Sequence, residues 1–185
     1  MNLLKPKFAI DDFIAQSVQV PASQLQLAHL QDWAARLDLK DDLFRRHISF
    51  CNQGYQRKRL CRTSRFEMLI LCWKPGQSST VHDHADSLNV TRVYQGVLTS
   101  RKFGSSVSLT GKQLLTPLQE EHLQKNELTA VDSYSIHQLA NTSDENLVTL
   151  HVYARPLQDI RVYCPVSGES ELVPVQPAPE EEFTK

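Results

Sequence analysis

The chain has little of what marks a secreted, membrane-spanning or nucleic-acid-binding protein. Among 185 residues there are four cysteines, Cys51, Cys61, Cys72 and Cys164, and no two are spaced as Cys-x-x-Cys. A chain of this length can bury a sizeable core without covalent staples, so reduced thiols are expected, with Cys72 as filler inside an apolar strand. Charge of one sign is also missing: 20 basic residues face 21 acidic ones. That balance leaves no electrostatic footprint for nucleic acid or an anionic membrane and points to a small-molecule or protein partner. The longest apolar run, residues 68–73, is far too short to span a bilayer. The opening Met1-Asn-Leu-Leu-Lys-Pro-Lys has neither the apolar stretch nor the cleavage site of a secretory signal. A cytoplasmic monomer of one domain, without an internal repeat, is the resulting expectation.

What is present divides into two parts. The first fifty residues read as helical. Leu25, Leu27, Leu30, Trp33, Ala34 and Leu37 fall mostly on one stripe and predict an amphipathic helix over 22–37, opened by Pro21. A shorter helix is predicted over 41–50, with Asp42 near its start and Arg45, Arg46 and His47 toward its end, where each charge suits the helix dipole. From Tyr55 onward the pattern changes to short runs rich in Val, Leu, Ile, Tyr and Thr. Strands are predicted at 57–62, 66–74, 89–95, 97–103, 128–132, 137–140, 147–153 and 160–164, with Gly96 as a tight turn between two of them. Many short strands without interleaved helices predict a mainly β protein, a closed antiparallel barrel or sandwich with the N-terminal helices packed on it. The domain is expected to occupy 1–172, with 1–50 helical and 55–165 forming the barrel. The proline-rich, acidic stretch 173–185 is expected to be a flexible tail.

Within the β region, His82 and His84 stand two residues apart. On an extended strand they share a face and can grip one metal ion, while Asp83 points away. A pair is a weak signal without a third ligand. His137 supplies a candidate, since it lies where a strand pattern resumes, with Asn141 four residues on. Imidazole suits iron, copper, nickel and zinc, and three protein ligands leave coordination positions free for chemistry. His29 and His47 on predicted helices, and His122 in a charged segment read as a loop, are expected at the surface.

Gly76-x5-His82-x-His84, followed by Gly96 and by His137-x3-Asn141, resembles the two metal motifs of the cupin superfamily, whose fold is a small double-stranded β-barrel. The glutamate ligand usual in cupins would fall at Asn89. Lacking it, and carrying Leu71-Cys-Trp-Lys-Pro-Gly76 ahead of Val81-His-Asp-His-Ala-Asp-Ser87, the chain resembles more narrowly the type I cysteine dioxygenase family. Tyr55-Gln-Arg57, Asp132-Ser133 and Thr149-Leu-His151-Val-Tyr153 extend the likeness over about 55–156. The resemblance implies one mononuclear ferrous site held by His82, His84 and His137. It also implies conversion of L-cysteine and O2 to cysteine sulfinic acid.

The resemblance implies roles for further residues. Arg57, assisted by Tyr55, matches the family's carboxylate clamp, a role suited to a guanidinium fork. Related 3-mercaptopropionate dioxygenases carry glutamine at that place, so the neighbouring Gln56 makes a one-residue register shift consequential. Thr149, His151 and Tyr153 match a hydrogen-bonded series whose phenol lies near substrate and oxygen, where it would orient the substrate and manage a proton. Without the resemblance, Arg57 to Arg59 read first as the solvated face of an edge strand and Trp73 as core, and 149–153 is open to a reading as an alternating strand with one polar face toward solvent. Two departures stand out. Asn89 replaces the cysteine or glycine of the family and is expected either to hydrogen-bond Tyr153 or to narrow the pocket. Ala154-Arg155-Pro156 replaces Ser-Pro-Pro, which predicts a trans 154–155 peptide bond and brings a cation near the substrate end. A dioxygenase of another small thiol carboxylate such as 3-mercaptopropionate, a non-enzymatic ligand-binding cupin, and a zinc or nickel isomerase are the competing readings.

Overall fold

The structure, a computed structural model, describes residues 7, 9–39, 45–107, 109 and 113–178. Two helices, α1 (Ile10–Ser17) and α2 (Leu27–Arg36), precede eleven strands among the described residues: β1 (Gln56–Arg62), β2 (Phe66–Trp73), β3 (Val81–Asp83), β4 (Leu88–Gln95), β5 (Leu98–Val107), β6 (Gln113–Leu123), β7 (Leu128–Val131), β8 (Ile136–Ala140), β9 (Leu147–Ala154), β10 (Asp159–Tyr163) and β11 (Ser170–Pro174). They form two antiparallel sheets ordered β1-β2-β9-β4-β7 and β11-β10-β3-β8-β5-β6.

Every residue of β2 and β9 is buried. Both are rich in apolar residues, and alternation along a strand gives each two buried faces. Met68, Ile70, Cys72, Val148, Leu150 and Val152 face the helices, where Phe13, Leu30, Trp33 and Leu37 pack on them. Leu69, Leu71, Trp73 and Tyr153 face the barrel interior with Val93, Leu98 and Leu139. Phe13, Trp33 and Phe66 meet edge to face at centroid separations of 5.4 to 6.2 Å, each pair adding about 1 kcal/mol beyond its buried area.

Arg92 ties the helical layer to the sheet. Its buried guanidinium donates to the carbonyls of Ala34 and Leu37 at the end of α2, at 3.0 and 2.9 Å, and to Asn126 Oδ1 at 2.8 Å. Carbonyls in the last helical turn have no partner within the helix, and a charged donor serves them. Arg92→Met keeps the apolar stem and strands those carbonyls. Its expected cost, read from urea unfolding, is about 3 kcal/mol.

The structure departs from the sequence pattern in several places. The predicted helix over 22–37 is two elements, a 3₁₀ turn at Ala22–Gln24 and α2. Leu25 and Leu27 both pack against the helix-side core. In a continuous helix they would lie about 200° apart, so the break lets both reach it. Of the second predicted helix, 45–47 are helical and 48–50 are not, while 41–44 lie outside the described residues. His47 is buried rather than at the surface. His122 sits on β6 and not in a loop, with Thr99 Oγ1 3.1 Å from its Nδ1. β6 escapes the pattern because it is an edge strand: Pro117 falls where the β5–β6 register shifts, and its exposed face carries charge. The expected tail begins too early at 173. Val173 and Pro174 complete β11, the Val175 N–H donates to Gln158 O at 2.8 Å, and Ala178 is buried. Apolar Val173, Val175 and Ala178, diluted among prolines, anchor this segment, and 179–185 lie outside the described residues.

Gly96 adopts φ +81° in the turn between β4 and β5, and a Cβ there would lie 2.6 Å from Asn146 O. Glycine is required by both conformation and space.

Candidate metal centre

His82 lies on β3, His84 just beyond it and His137 on β8, where His82 and His137 are direct cross-strand partners. Pairing of β3 with β8 thus closes a triangle of imidazoles with ring centroids 4.5 to 4.9 Å apart and potential ligand nitrogens all within 4.8 Å of one another. Asp83 faces away, as its position on the strand requires. It accepts from the Tyr163 hydroxyl at 2.6 Å and from the Ala85 N–H at 2.8 Å, holding the turn in which Ala85 takes φ +50°.

Backbone carbonyls orient two of the rings. Thr80 O lies 2.9 Å from His82 Nδ1 and Ser135 O lies 3.0 Å from His137 Nδ1. A carbonyl only accepts, so each Nδ1 carries the proton and each Nε2 presents a lone pair. His137 Nε2 is buried without a hydrogen-bond partner, and the Nε2 atoms of His82 and His84 approach to 3.1 Å. Convergent, unpartnered lone pairs in a buried site fit a shared cation, and carbonyl-oriented imidazoles are the usual support of such ligands. Burial lowers the pKa of all three, reinforced for His84 by His137 and for His137 by His82, so each is neutral and competent to bind metal. Glu67, the cross-strand partner of Tyr153, is held by Arg59 at 3.0 Å and Arg62 at 3.1 Å. The donor set is therefore all-imidazole.

The sequence-derived substrate residues meet the histidines in one cavity. Tyr55, Arg57, Trp73, His151 and Tyr153 line it together with apolar Leu157, Ile160 and Val175. Arg57 pairs with Leu71 across β1–β2 and shares its inward face, whereas Gln56 pairs with Cys72, which faces the helices. Register therefore puts Arg57 and not Gln56 in the cavity. Arg57 also donates to Gln176 O at 3.3 Å. Tyr55 stacks on Trp73 at 4.1 Å, and burial raises its pKa against the pull of Arg57.

Thr149, His151 and Tyr153 share the inward face of β9. Thr149 Oγ1 is 2.9 Å from His151 Nε2, and the Tyr153 hydroxyl is 3.4 Å from His151 Nδ1. The Tyr153 ring meets His84 edge-on at 5.2 Å. Burial raises the Tyr153 pKa, so it stays a phenol. Burial, with Arg57 and His82 adding to it, drives His151 down to about 3. Its charged form is disfavoured in the fold, so between pH 6.5 and about 3 the unfolded chain binds more protons. Metal-free protein is expected to lose several kcal/mol of stability as pH falls through that window, measured by urea unfolding, and His151→Leu should flatten the slope.

Two expectations need correction. Asn89 neither bonds Tyr153 nor lines the cavity: its Nδ2 donates to Val152 O at 3.3 Å and its Oδ1 accepts from Thr91 at 3.0 Å. Arg155 pairs with exposed Asp86 and does not line the cavity of the three histidines; with His84 and Leu157 it lines a neighbouring one. The 154–155 bond is trans. Thr91 and the apolar wall of Leu157, Ile160 and Val175 were not anticipated. Thr91 had a signal, since it stands two residues beyond Asn89 on one strand face, but the wall comes from distant segments.

An antiparallel two-sheet barrel enclosing three convergent imidazoles is a cupin-type fold with a candidate mononuclear metal site. Within that class the family model described as Cysteine dioxygenase type I matches residues 14–165, and the chain belongs to the cysteine dioxygenase type I family. Cysteine dioxygenase type 1 of Danio rerio is 28% identical over 175 residues, covering 90% of this chain and 78% of that one. The Rattus norvegicus protein of the same name is 26% identical, covering 94% and 81%. Among solved structures, TT1209 from Thermus thermophilus superposes with a TM-score of 0.51 at 18% identity over 64% of this chain and 98% of that one, a likeness of fold. Among the described residues no helix is long and apolar enough to cross a membrane.

Proposed function

We propose that the protein is an iron-dependent thiol dioxygenase that converts L-cysteine and O2 to cysteine sulfinic acid. The observation that carries this reading is the joint lining of one cavity by Arg57, Tyr153 and three neutral imidazoles, with no carboxylate among the metal donors. His82, His84 and His137 would hold the metal. A ferrous ion bound by neutral ligands keeps its full charge, lowers the pKa of a thiol and activates dioxygen. The overall reaction balances without a further reductant, because sulfur gives up the four electrons that reduce O2 as both oxygen atoms join it.

The protein's own groups hold the substrate and its proton. Arg57 receives the carboxylate and orients the thiol toward the histidines, and Tyr55, stacked on Trp73, flanks that end of the cavity. Tyr153 stays protonated and donates a hydrogen bond to charge that develops on oxygen. His151 stays neutral beside it. Leu157, Ile160 and Val175 add an apolar lining that limits water.

A second reading, a dioxygenase of a thiol carboxylate without an amine such as 3-mercaptopropionate, is favoured by one observation: no Asp or Glu among the described residues lines the cavity to meet a substrate ammonium. Oxygen uptake by anaerobically iron-loaded protein with cysteine, 3-mercaptopropionate and cysteamine in parallel, with mass spectrometry of products, decides between them. Uptake with cysteine and a product heavier by two oxygen atoms is the expected result. Absence of thiol-dependent uptake with all three removes the enzymatic reading and leaves a ligand-binding cupin.

A further inference from the structure

A chain of buried hydrogen bonds runs along β9 and β4 beside the histidines, and its direction is set from the Val152 end. At one end the Trp73 indole N–H, which can only donate, lies 3.0 Å from Thr149 Oγ1. At the other end Val152 O, which can only accept, lies 3.3 Å from the Asn89 amide. The Asn89 nitrogen must therefore face Val152, and its oxygen faces Thr91. Thr91 spends its only proton on that oxygen. Its own oxygen, 3.1 Å from His151 Nδ1, is left to accept, so Nδ1 must carry the imidazole proton. His151 Nε2 then accepts from Thr149, whose oxygen in turn takes the Trp73 N–H.

Each donor has one acceptor, and the opposite tautomer breaks the order. With the proton on Nε2, the Nδ1 lone pair would face the lone pairs of Thr91 in a fully buried place. Leaving a buried acceptor unmet biases the tautomers on the order of tenfold or more. The consequence reaches Tyr153, whose hydroxyl is 3.4 Å from the same Nδ1. A protonated nitrogen offers no lone pair there. The Tyr153 proton must be directed elsewhere, and Tyr153 borders the cavity of His82, His84 and His137.

We infer that Asn89 and Thr91 are positioning residues, which hold His151 as its Nδ1–H tautomer and thereby turn the Tyr153 hydroxyl proton toward the histidine cavity. The kinetic consequence rests on the thiol dioxygenase reading; the tautomer does not. Asn89, which replaces the family's cysteine or glycine, serves here as the terminal acceptor that sets the direction of the network.

The test is ¹⁵N NMR of the imidazole nitrogens in metal-free protein, with His151 assigned by loss of its signals in His151→Gln. The wild-type protein should show Nδ1 protonated and Nε2 bare. Asn89→Ala frees the Thr91 hydroxyl to donate to Nδ1, so an Nε2–H population should appear. Turnover of the iron-loaded variant should fall about tenfold in kcat, with KM within about twofold of the wild-type value. Thr91→Val should reproduce the kcat loss, and Thr91→Ser, which restores the oxygen, should rescue it. A wild-type His151 protonated at Nε2 overturns the inference, as does an Asn89→Ala protein with an unchanged tautomer. If no thiol is oxidised, the dioxygenase reading falls and the wild-type spectrum still judges the tautomer.

Discussion

His137→Ala is expected to abolish stoichiometric iron retention and, with it, thiol-dependent oxygen uptake. Loss of a group that merely orients a ligand costs about 10–100-fold in metal affinity, so loss of the ligand itself should cost at least about 100-fold. His137 is the sharpest choice of the three because it is buried, its Nε2 has no hydrogen-bond partner, and its strand is paired on both edges. Alanine leaves those backbone pairs in place. The metal-free variant should therefore melt within a few degrees of metal-free wild type. Metal analysis after anaerobic loading and desalting gives the readout. Retention of one iron per chain by His137→Ala would remove the histidine triad as the metal site.

Arg57→Ala should lower kcat/KM for cysteine about 100-fold, mostly through KM, and leave oxidation of cysteamine nearly unchanged. A charge-assisted, two-pronged bond to a carboxylate is worth about 3 kcal/mol, and cysteamine has no carboxylate to lose it. Arg57→Lys should recover only part of the loss, because an ammonium cannot offer the planar fork. Steady-state oxygen uptake with both thiols checks it. Equal loss for cysteine and cysteamine would mean that Arg57 supports the cavity, through its bond to Gln176 O, and does not bind substrate.

The β architecture and the triad were legible because both are written in local spacing. All eight predicted strands coincide with β1, β2, β4, β5, β7, β8, β9 and β10 to within a few residues, since burial on one or two faces leaves period-two or continuous apolar patterns. His82 and His84 share a face by alternation alone. The elements that were missed are those whose stability comes from neighbours. β6 and β11 lie at the two edges of one sheet and carry proline and charge, so their own residues read as loop and tail. The interruption before α2 is invisible to periodicity because Leu25 and Leu27 both seek the same core.

Asn89 shows where local reasoning stops. Its match to the family's cysteine or glycine position predicted either a bond to Tyr153 or a narrower pocket, and the register does place the two as cross-strand partners. The amide is taken instead by the Val152 carbonyl at 3.3 Å and the Thr91 hydroxyl at 3.0 Å. Arg155 is parallel: a cation near the catalytic strand in sequence, it pairs with exposed Asp86.

The sequence by itself determined the fold class, the three imidazoles and the identity of the family, because strand alternation and motif spacing depend on neighbours a few residues apart. Only the tertiary structure decided that Arg57 and not Gln56 enters the cavity, that Val175 lines it, and that Asn89 accepts from Thr91 in a hydrogen-bond chain that includes His151. Those outcomes depend on which strands pair, in which register, and on which buried groups can only donate or only accept.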